Sequence, residues 1–187
     1  MQGLQQLSLG GLASAVGMSK SGLFAHFDSK EALQLATIAE GWEIFESEVL
    51  CHSEDNTVRA LSELLERWLS FSERKVFPGG CLFLHQAVEF ASRPGPVNDA
   101  LATAVERQVK AIEECVLNVS KPAGGDAKDA TEVAFELYSI VINADALFRV
   151  QHDRVVYDHA REAIRIAVQT GSSHSRPRAA RAVRTRA

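Results

Sequence analysis

The sequence has no apolar run long enough to span a bilayer, and its first residues lack the basic and apolar pattern of a secretory signal. Its three cysteines, Cys51, Cys81 and Cys115, are an odd number without disulfide or metal-ligand spacing, which argues against a disulfide framework. Together these absences point to a soluble protein of the reducing cytoplasm. Strand-like alternation is also missing, and the β-branched residues are scattered, so the expected fold is all-α. Positive charge is scarce over most of the chain. The net charge is −4, and five arginines in residues 172–187 leave −9 on residues 1–171. Only the surface that meets phosphate has to be neutral or basic, so this balance neither proves nor excludes a nucleic-acid partner.

The most specific signal present is SLGGLASAVGMSKSGLFAHFDSKEAL, residues 8–33. Ser8 is placed to cap a helix whose inner face is Leu9, Leu12, Ala13 and Val16. Gly17 stands where the chain must turn, a position open to positive φ without a Cβ. Met18 is expected to plug that turn. Ser19 caps a short second helix with Leu23 and Phe27 on one face at i and i+4. Ala13 supplies the small side chain that two steeply crossing helices need at closest approach. Ser29 then opens a third helix at Lys30-Glu31-Ala32-Leu33. The ordered set of caps, glycine, small residue and apolar positions predicts a helix-turn-helix that reads DNA.

The rest of the chain patterns as helices. One runs over residues 30–50 with Leu33, Leu35, Ile38, Trp42, Phe45 and Val49, and links the head to the remaining helices. A second covers 56–75, and Pro78-Gly79-Gly80 breaks it. A helix over 81–91 ends before Arg93-Pro94-Gly95-Pro96, and Pro96 fits the first turn of a helix reaching about Val119. After the loop at Lys121-Pro122-Ala123-Gly124-Gly125, two helices occupy roughly 127–151 and 154–169. Residues 133–150 are apolar nearly all round, more than a single buried stripe requires. With the small residues Ala160, Ala163 and Ala167, this surplus predicts a four-helix homodimer interface over about 127–169. The alternative is the central helix of a monomeric bundle. The expected domains are a head at 1–45, a helical effector-binding and dimerisation domain at 46–171, and a disordered arginine-rich tail at 172–187.

Through Leu12-Ala13, Val16-Gly17-Met18-Ser19-Lys20, Leu23-Phe24, His26-Phe27 and Ser29-Lys30-Glu31-Ala32-Leu33, the segment resembles the N-terminal domain of the TetR family of transcriptional regulators. GGCLFLHQAVEFASRPGPV resembles a weaker segment of some members. The resemblance implies a homodimer that binds near-palindromic double-stranded operator DNA and releases it when a small molecule enters the C-terminal domain. Repression is the expected sense, and no cofactor or metal is expected. The resemblance also implies a whole helix before the segment matching Leu7-Ser8-Leu9, whereas only Met1-Gln2 precede Gly3. The expectation is therefore a head without its first helix, with parts of Leu12, Val16, Leu23 and Phe27 facing water and residues 1–28 loosened. The alternative function is a ligand-binding helical dimer that no longer binds DNA.

In such a head the second helix presents Lys20, Ser21 and Gly22 to base edges, with Ala25 and His26 further along. Ser8 and Ser19 sit at helix starts, where free N–H groups favour phosphate, and Lys30 is expected to pair another phosphate. Phe24 and Ala25 stand where the family commonly carries phosphate-reaching tyrosines, which weakens the grip. His26 is expected to pack within the head rather than read a base. The candidate effector pocket draws on Trp68, Phe71, Phe83, His85, Phe90, Phe135, Tyr138, Asn143 and Phe148. For each aromatic, core packing is the competing role. Asn143 and Asp145 interrupt an apolar helix, and the aromatics imply a mainly apolar ligand.

Cys81, His85 and Glu89 lie one helical turn apart. Stacked along one helix they do not converge on a reacting atom, so the chain is not expected to be an enzyme. Redox or metal sensing through Cys81 remains an alternative.

Overall fold

The structure, a computed structural model, describes residues 3–50, 57–77, 80–120 and 127–171. The expectations for Cys51, for the loop at 121–125 and for the tail at 172–187 lie outside the described residues. A 3-10 turn, Leu4–Gln6, precedes α1 (Leu9–Val16), α2 (Lys20–Phe24), α3 (Lys30–Phe45), α4 (Val58–Glu73) and α5 (Leu82–Phe90). Three longer helices complete the chain: α6 (Pro96–Ser120), α7 (Ala127–Gln151) and α8 (Val155–Gly171). No strand occurs among the described residues.

The helix starts follow the side chains that cap them. The hydroxyls of Ser8, Ser19, Ser29 and Thr57 accept from the backbone N–H of Gly11, Gly22, Ala32 and Ala60. Each satisfies one donor that the first helical turn leaves open. Gly17 ends α1 in the left-handed region, at φ 69°. Two local expectations need correction. Val16 is 54% exposed and Met18 41% exposed, so neither is an inner-face residue nor a plug. The reason is the narrowness of the contact: α1 packs on α2, and Leu9 and Ala13 are the residues of α1 that it buries. The long helix expected over 30–50 is α-helical only to Phe45, and Glu46–Leu50 widen into a π turn. The Val49 carbonyl there accepts from Arg67 Nε at 2.9 Å.

Two apolar clusters result. Leu9, Ala13, Leu23 and Leu33 form a small one, with Leu7, Leu12 and Phe27 packed against it. The large cluster begins on the same α3 at Ile38, Trp42 and Phe45 and fills the space among α4 to α8. One helix thus carries residues of both cores. The head is also tied on by the N-terminal turn, whose Leu4 N–H donates to Gln86 Oε1 and whose Leu4 carbonyl accepts from Gln34 Nε2, both at 2.7 Å.

In the larger part α7 packs between α6 and α8, and α4 closes on both α7 and α8. Arg161 of α8 bridges Glu66 and Glu73 of α4 at 3.0 and 2.9 Å. No helix among the described residues is long and apolar enough to cross a membrane.

Candidate reading head and effector chamber

The second helix of the head sits on the surface. Lys20 and Ser21 are exposed, as are Ala25 and His26, while Gly22 is half-buried. Leu23 is buried against α1, which fixes the rotation of α2 and leaves its N-terminal residues outward. Ser19 Oγ lies 3.2 Å from Ser21 Oγ, so the cap also holds the neighbouring hydroxyl. Phe24 is exposed beside them. Lys30 is exposed at the start of α3, and its Nζ donates to the Gln5 carbonyl. The structure therefore brings Lys20, Ser21 and Ser19 together at the start of one exposed helix. Ser8 starts α1, and its side chain serves as that helix's cap. Of the four apolar head residues expected to face water in part, Val16 is exposed, Leu12 and Phe27 are half-buried and Leu23 is buried.

Of the nine pocket candidates, Trp68, Phe71 and Phe83 line one cavity with Phe45, Phe77 and Gln108. Their rings meet edge to face. Phe45 lies 4.9 Å from Trp68, and Phe77 lies 5.0 Å from Phe71. Tyr138 stands behind Trp68 at 5.8 Å, with its hydroxyl 3.5 Å from Gln108 Oε1. The cavity volume is about 10 Å³, about what a single water needs. Other candidates lie elsewhere. Phe90 is stacked under Arg93 and Phe148 against Tyr157, while Phe135 is 70% exposed on α7 and Asn143 is exposed on the same helix.

Beside the chamber lies a buried polar cluster. Asp145 of α7 accepts from the Cys81 N–H at 3.1 Å and from Arg149 Nε at 3.2 Å, with His85 Nε2 at 3.8 Å. The Arg149 guanidinium occupies the place where a Cβ on Gly80 would stand, and Gly80 has φ 84°. Burial pushes the Cys81 thiol up to about 11. At neutral pH it is a neutral thiol, the reverse of what thiolate chemistry needs. Among the described residues no group of three His, Cys, Asp or Glu is placed to hold a metal ion.

Between head and chamber runs a cleft of about 750 Å³, floored by Leu7, Phe27 and Leu33 on one side and Phe77 and Leu82 on the other. Gly41 of α3 lines the cleft and leaves room there for the Leu82 side chain. A Cβ there would collide with Leu82 Cδ2 and lie 3.8 Å from the tip of the Phe77 ring. Sequence reasoning missed Gln108, Phe45, Phe77 and Gly41 as site residues; only the packing of α3, α5 and α6 reveals them.

Residues 1–37 match the family described as bacterial regulatory proteins of the tetR family, and residues 57–164 match the Tetracyclin repressor-like C-terminal domain. No curated protein matches the chain in sequence. Solved structures with the same fold include a TetR transcriptional regulator from Legionella pneumophila, 18% identical over 89% of this chain and 87% of that one, with TM-score 0.72. A TetR transcription regulator from Haloarcula marismortui ATCC 43049 is 18% identical with the same coverage and TM-score 0.73. AibR, solved in complex with isovaleryl coenzyme A and operator DNA, is 21% identical over 86% of each chain, with TM-score 0.65. With the larger of the two family matches spanning more than half of its length, the chain belongs to the TetR family of transcriptional regulators.

Proposed function

We propose that the chain is a homodimeric regulator that binds near-palindromic operator DNA through α2 and releases it when a small molecule enters the helical domain, acting as a repressor. The observation that carries the reading is the outward start of α2. Lys20 and Ser21 are exposed there while Leu23 anchors the same helix in the head's core. A lysine at this place donates to guanine N7 and O6, and serine serves base or phosphate. Lys30 and the capping serines Ser8 and Ser19 then contribute backbone contacts that position the head without reading sequence.

Two half-sites require two heads. Phe135 and Val150 of α7, 70% and 80% exposed, and Val155 and Ile166 of α8 supply apolar surface for a second copy. The domain division that goes with this reading is a head at 1–45 and an effector-binding and dimerisation domain at 46–171. A ligand-responsive role is supported by AibR, whose complex holds both isovaleryl coenzyme A and operator DNA. The test is a mobility shift on DNA from upstream of the chain's own gene, against unrelated DNA of equal length. Selective retention supports the reading; equal retention or none leaves a helical dimer that does not read DNA.

A further inference from the structure

We infer that the aromatic chamber behind Phe77 takes a neutral, ring-sized aromatic molecule bearing a carboxamide-like group, which pairs with the buried amide of Gln108. This rests on the ligand-responsive reading above and names the chemical class of the effector.

The first observation is an amide without adequate partners. Gln108 is fully buried in the chamber wall. A primary amide offers two N–H donors and two acceptor lone pairs. Among the described residues Nε2 meets only the Cys81 sulfur at 4.0 Å, and Oε1 meets the Tyr138 hydroxyl at 3.5 Å and that sulfur at 4.0 Å. These contacts are long and weak, at the limit of a hydrogen bond. A buried amide left in this condition is costly unless something completes it.

The second observation is the shape and charge of the surroundings. The chamber is walled by Phe45, Trp68, Phe71, Phe77 and Phe83, and among the described residues no lining side chain carries a charge. The nearest charges, Asp145 and the Arg149 guanidinium against Gly80, are paired with each other, and Asp145 also accepts from the Cys81 N–H. An ionic ligand would be desolvated without a counter-charge, which a carboxylate or ammonium does not tolerate. A hydrocarbon would fill the space and leave the Gln108 amide unpaired. A carboxamide can pair head to tail with the Gln108 amide, donating one N–H to Oε1 and accepting one from Nε2.

The third observation is the route. The chamber itself has room for about one water, but Phe77 belongs to its wall and to the wall of the 750 Å³ cleft outside. The inferred ligand would enter by rotating that ring into the cleft, taking the place the ring now fills. The incoming ring inherits the edge-to-face partners Phe71 and Phe83, whose centroids lie 5.0 and 6.2 Å from Phe77. Such pairing favours an aromatic over an aliphatic occupant.

The test uses the full chain with benzamide, toluene, benzoate and benzylammonium, each titrated by calorimetry. Benzamide is expected to bind about tenfold or more tighter than the other three, the discrimination typical of a buried hydrogen-bonding group. Gln108→Leu is expected to abolish that advantage and leave toluene binding as well or better. Phe77→Ala, which removes the ring to be displaced, is expected to raise benzamide affinity severalfold. Benzoate or benzylammonium binding more tightly than benzamide would overturn the inference. So would an undiminished benzamide preference in Gln108→Leu, or no binding of any of the four to the wild type. Operator retention, measured in parallel, reports on the regulator reading separately. A chain that holds its operator yet ignores benzamide refutes only the chemistry assigned here, and one that binds benzamide without retaining DNA refutes only the regulator.

Discussion

The Asp145 carboxylate on α7 accepts a hydrogen bond from the Cys81 backbone N–H at 3.1 Å, joining residues 64 apart in sequence. The same oxygen takes Arg149 Nε at 3.2 Å. One buried acid thus ends the loop before α5 and orients an arginine of its own helix. Replacing it by alanine leaves a buried N–H without an acceptor and a partly buried guanidinium without a partner. Removal of one member of a buried pair costs about 3–5 kcal/mol, reduced here to about 2–4 because Arg149 retains some access to water. Asp145→Asn keeps an acceptor for Cys81 and is expected to cost less than Asp145→Ala. Urea unfolding of the two variants measures the order.

Gly80 and Arg149 form a second coupled pair. The positive φ at Gly80 disfavours any side chain, and the guanidinium fills the space a Cβ would take. Gly80→Ala is expected to destabilise by about 1–3 kcal/mol, in the range for a strained backbone position. Adding Arg149→Ala relieves the collision but not the φ, so the double variant should recover only part of the loss. Equal additivity in a double-mutant cycle would argue that the two residues do not meet.

Alkaline pH tests the burial of Cys81. Its thiol is raised from 9.0 to about 11 in the folded chain. A group raised on folding contributes its full stability below the unfolded value and loses it as pH climbs through the folded one. Stability should therefore fall between about pH 9 and 11, by an amount on the order of 2 kcal/mol for a shift of this size. Cys81→Ala should remove that share of the slope. Slow alkylation of Cys81 by iodoacetamide at neutral pH, in the folded chain, checks the same burial and bears directly on redox sensing through this residue.

The exposed face of α7 and α8 makes a prediction about assembly. Phe135→Glu places a charge where an apolar ring stands, and in the proposed homodimer twofold symmetry would introduce it twice. Burial of a phenylalanine contributes about 1.5–3 kcal/mol, so the loss over two copies is expected to exceed about 3 kcal/mol and shift the chain to monomer at micromolar concentration. Sedimentation equilibrium reads this outcome. A Phe135→Glu chain that stays dimeric would move the interface to another face.

Local chemistry made the head legible. Ser8, Ser19, Ser29 and Gly17 each act within four residues of their own position, and the structure puts a cap or a left-handed turn at each. Packing decided the rest. Gln108 sits among Glu106, Arg107 and Lys110 in the sequence, as a solvated residue would, and is buried because α3, α4, α5 and α7 all pack on α6. Phe135 and Asn143 lie on a helix apolar nearly all round, where periodicity cannot say which face turns inward. Asp145, by contrast, stood out as a polar interruption of that helix, and it is buried with partners. Val16 and Met18 show the converse: apolar residues at suitable spacing stay exposed when no neighbouring element covers them.

The central claim is that Lys20 at the start of α2 reads operator DNA, and equilibrium binding of the full chain to its own upstream sequence, followed by fluorescence anisotropy, tests it most directly. A side chain that donates to a base edge contributes about 1–3 kcal/mol, so Lys20→Ala is expected to weaken operator binding by roughly tenfold to a hundredfold. Affinity for unrelated DNA should change far less. Sequence-specific binding that Lys20→Ala leaves intact, or a wild-type chain that binds operator and unrelated DNA alike, would contradict the account.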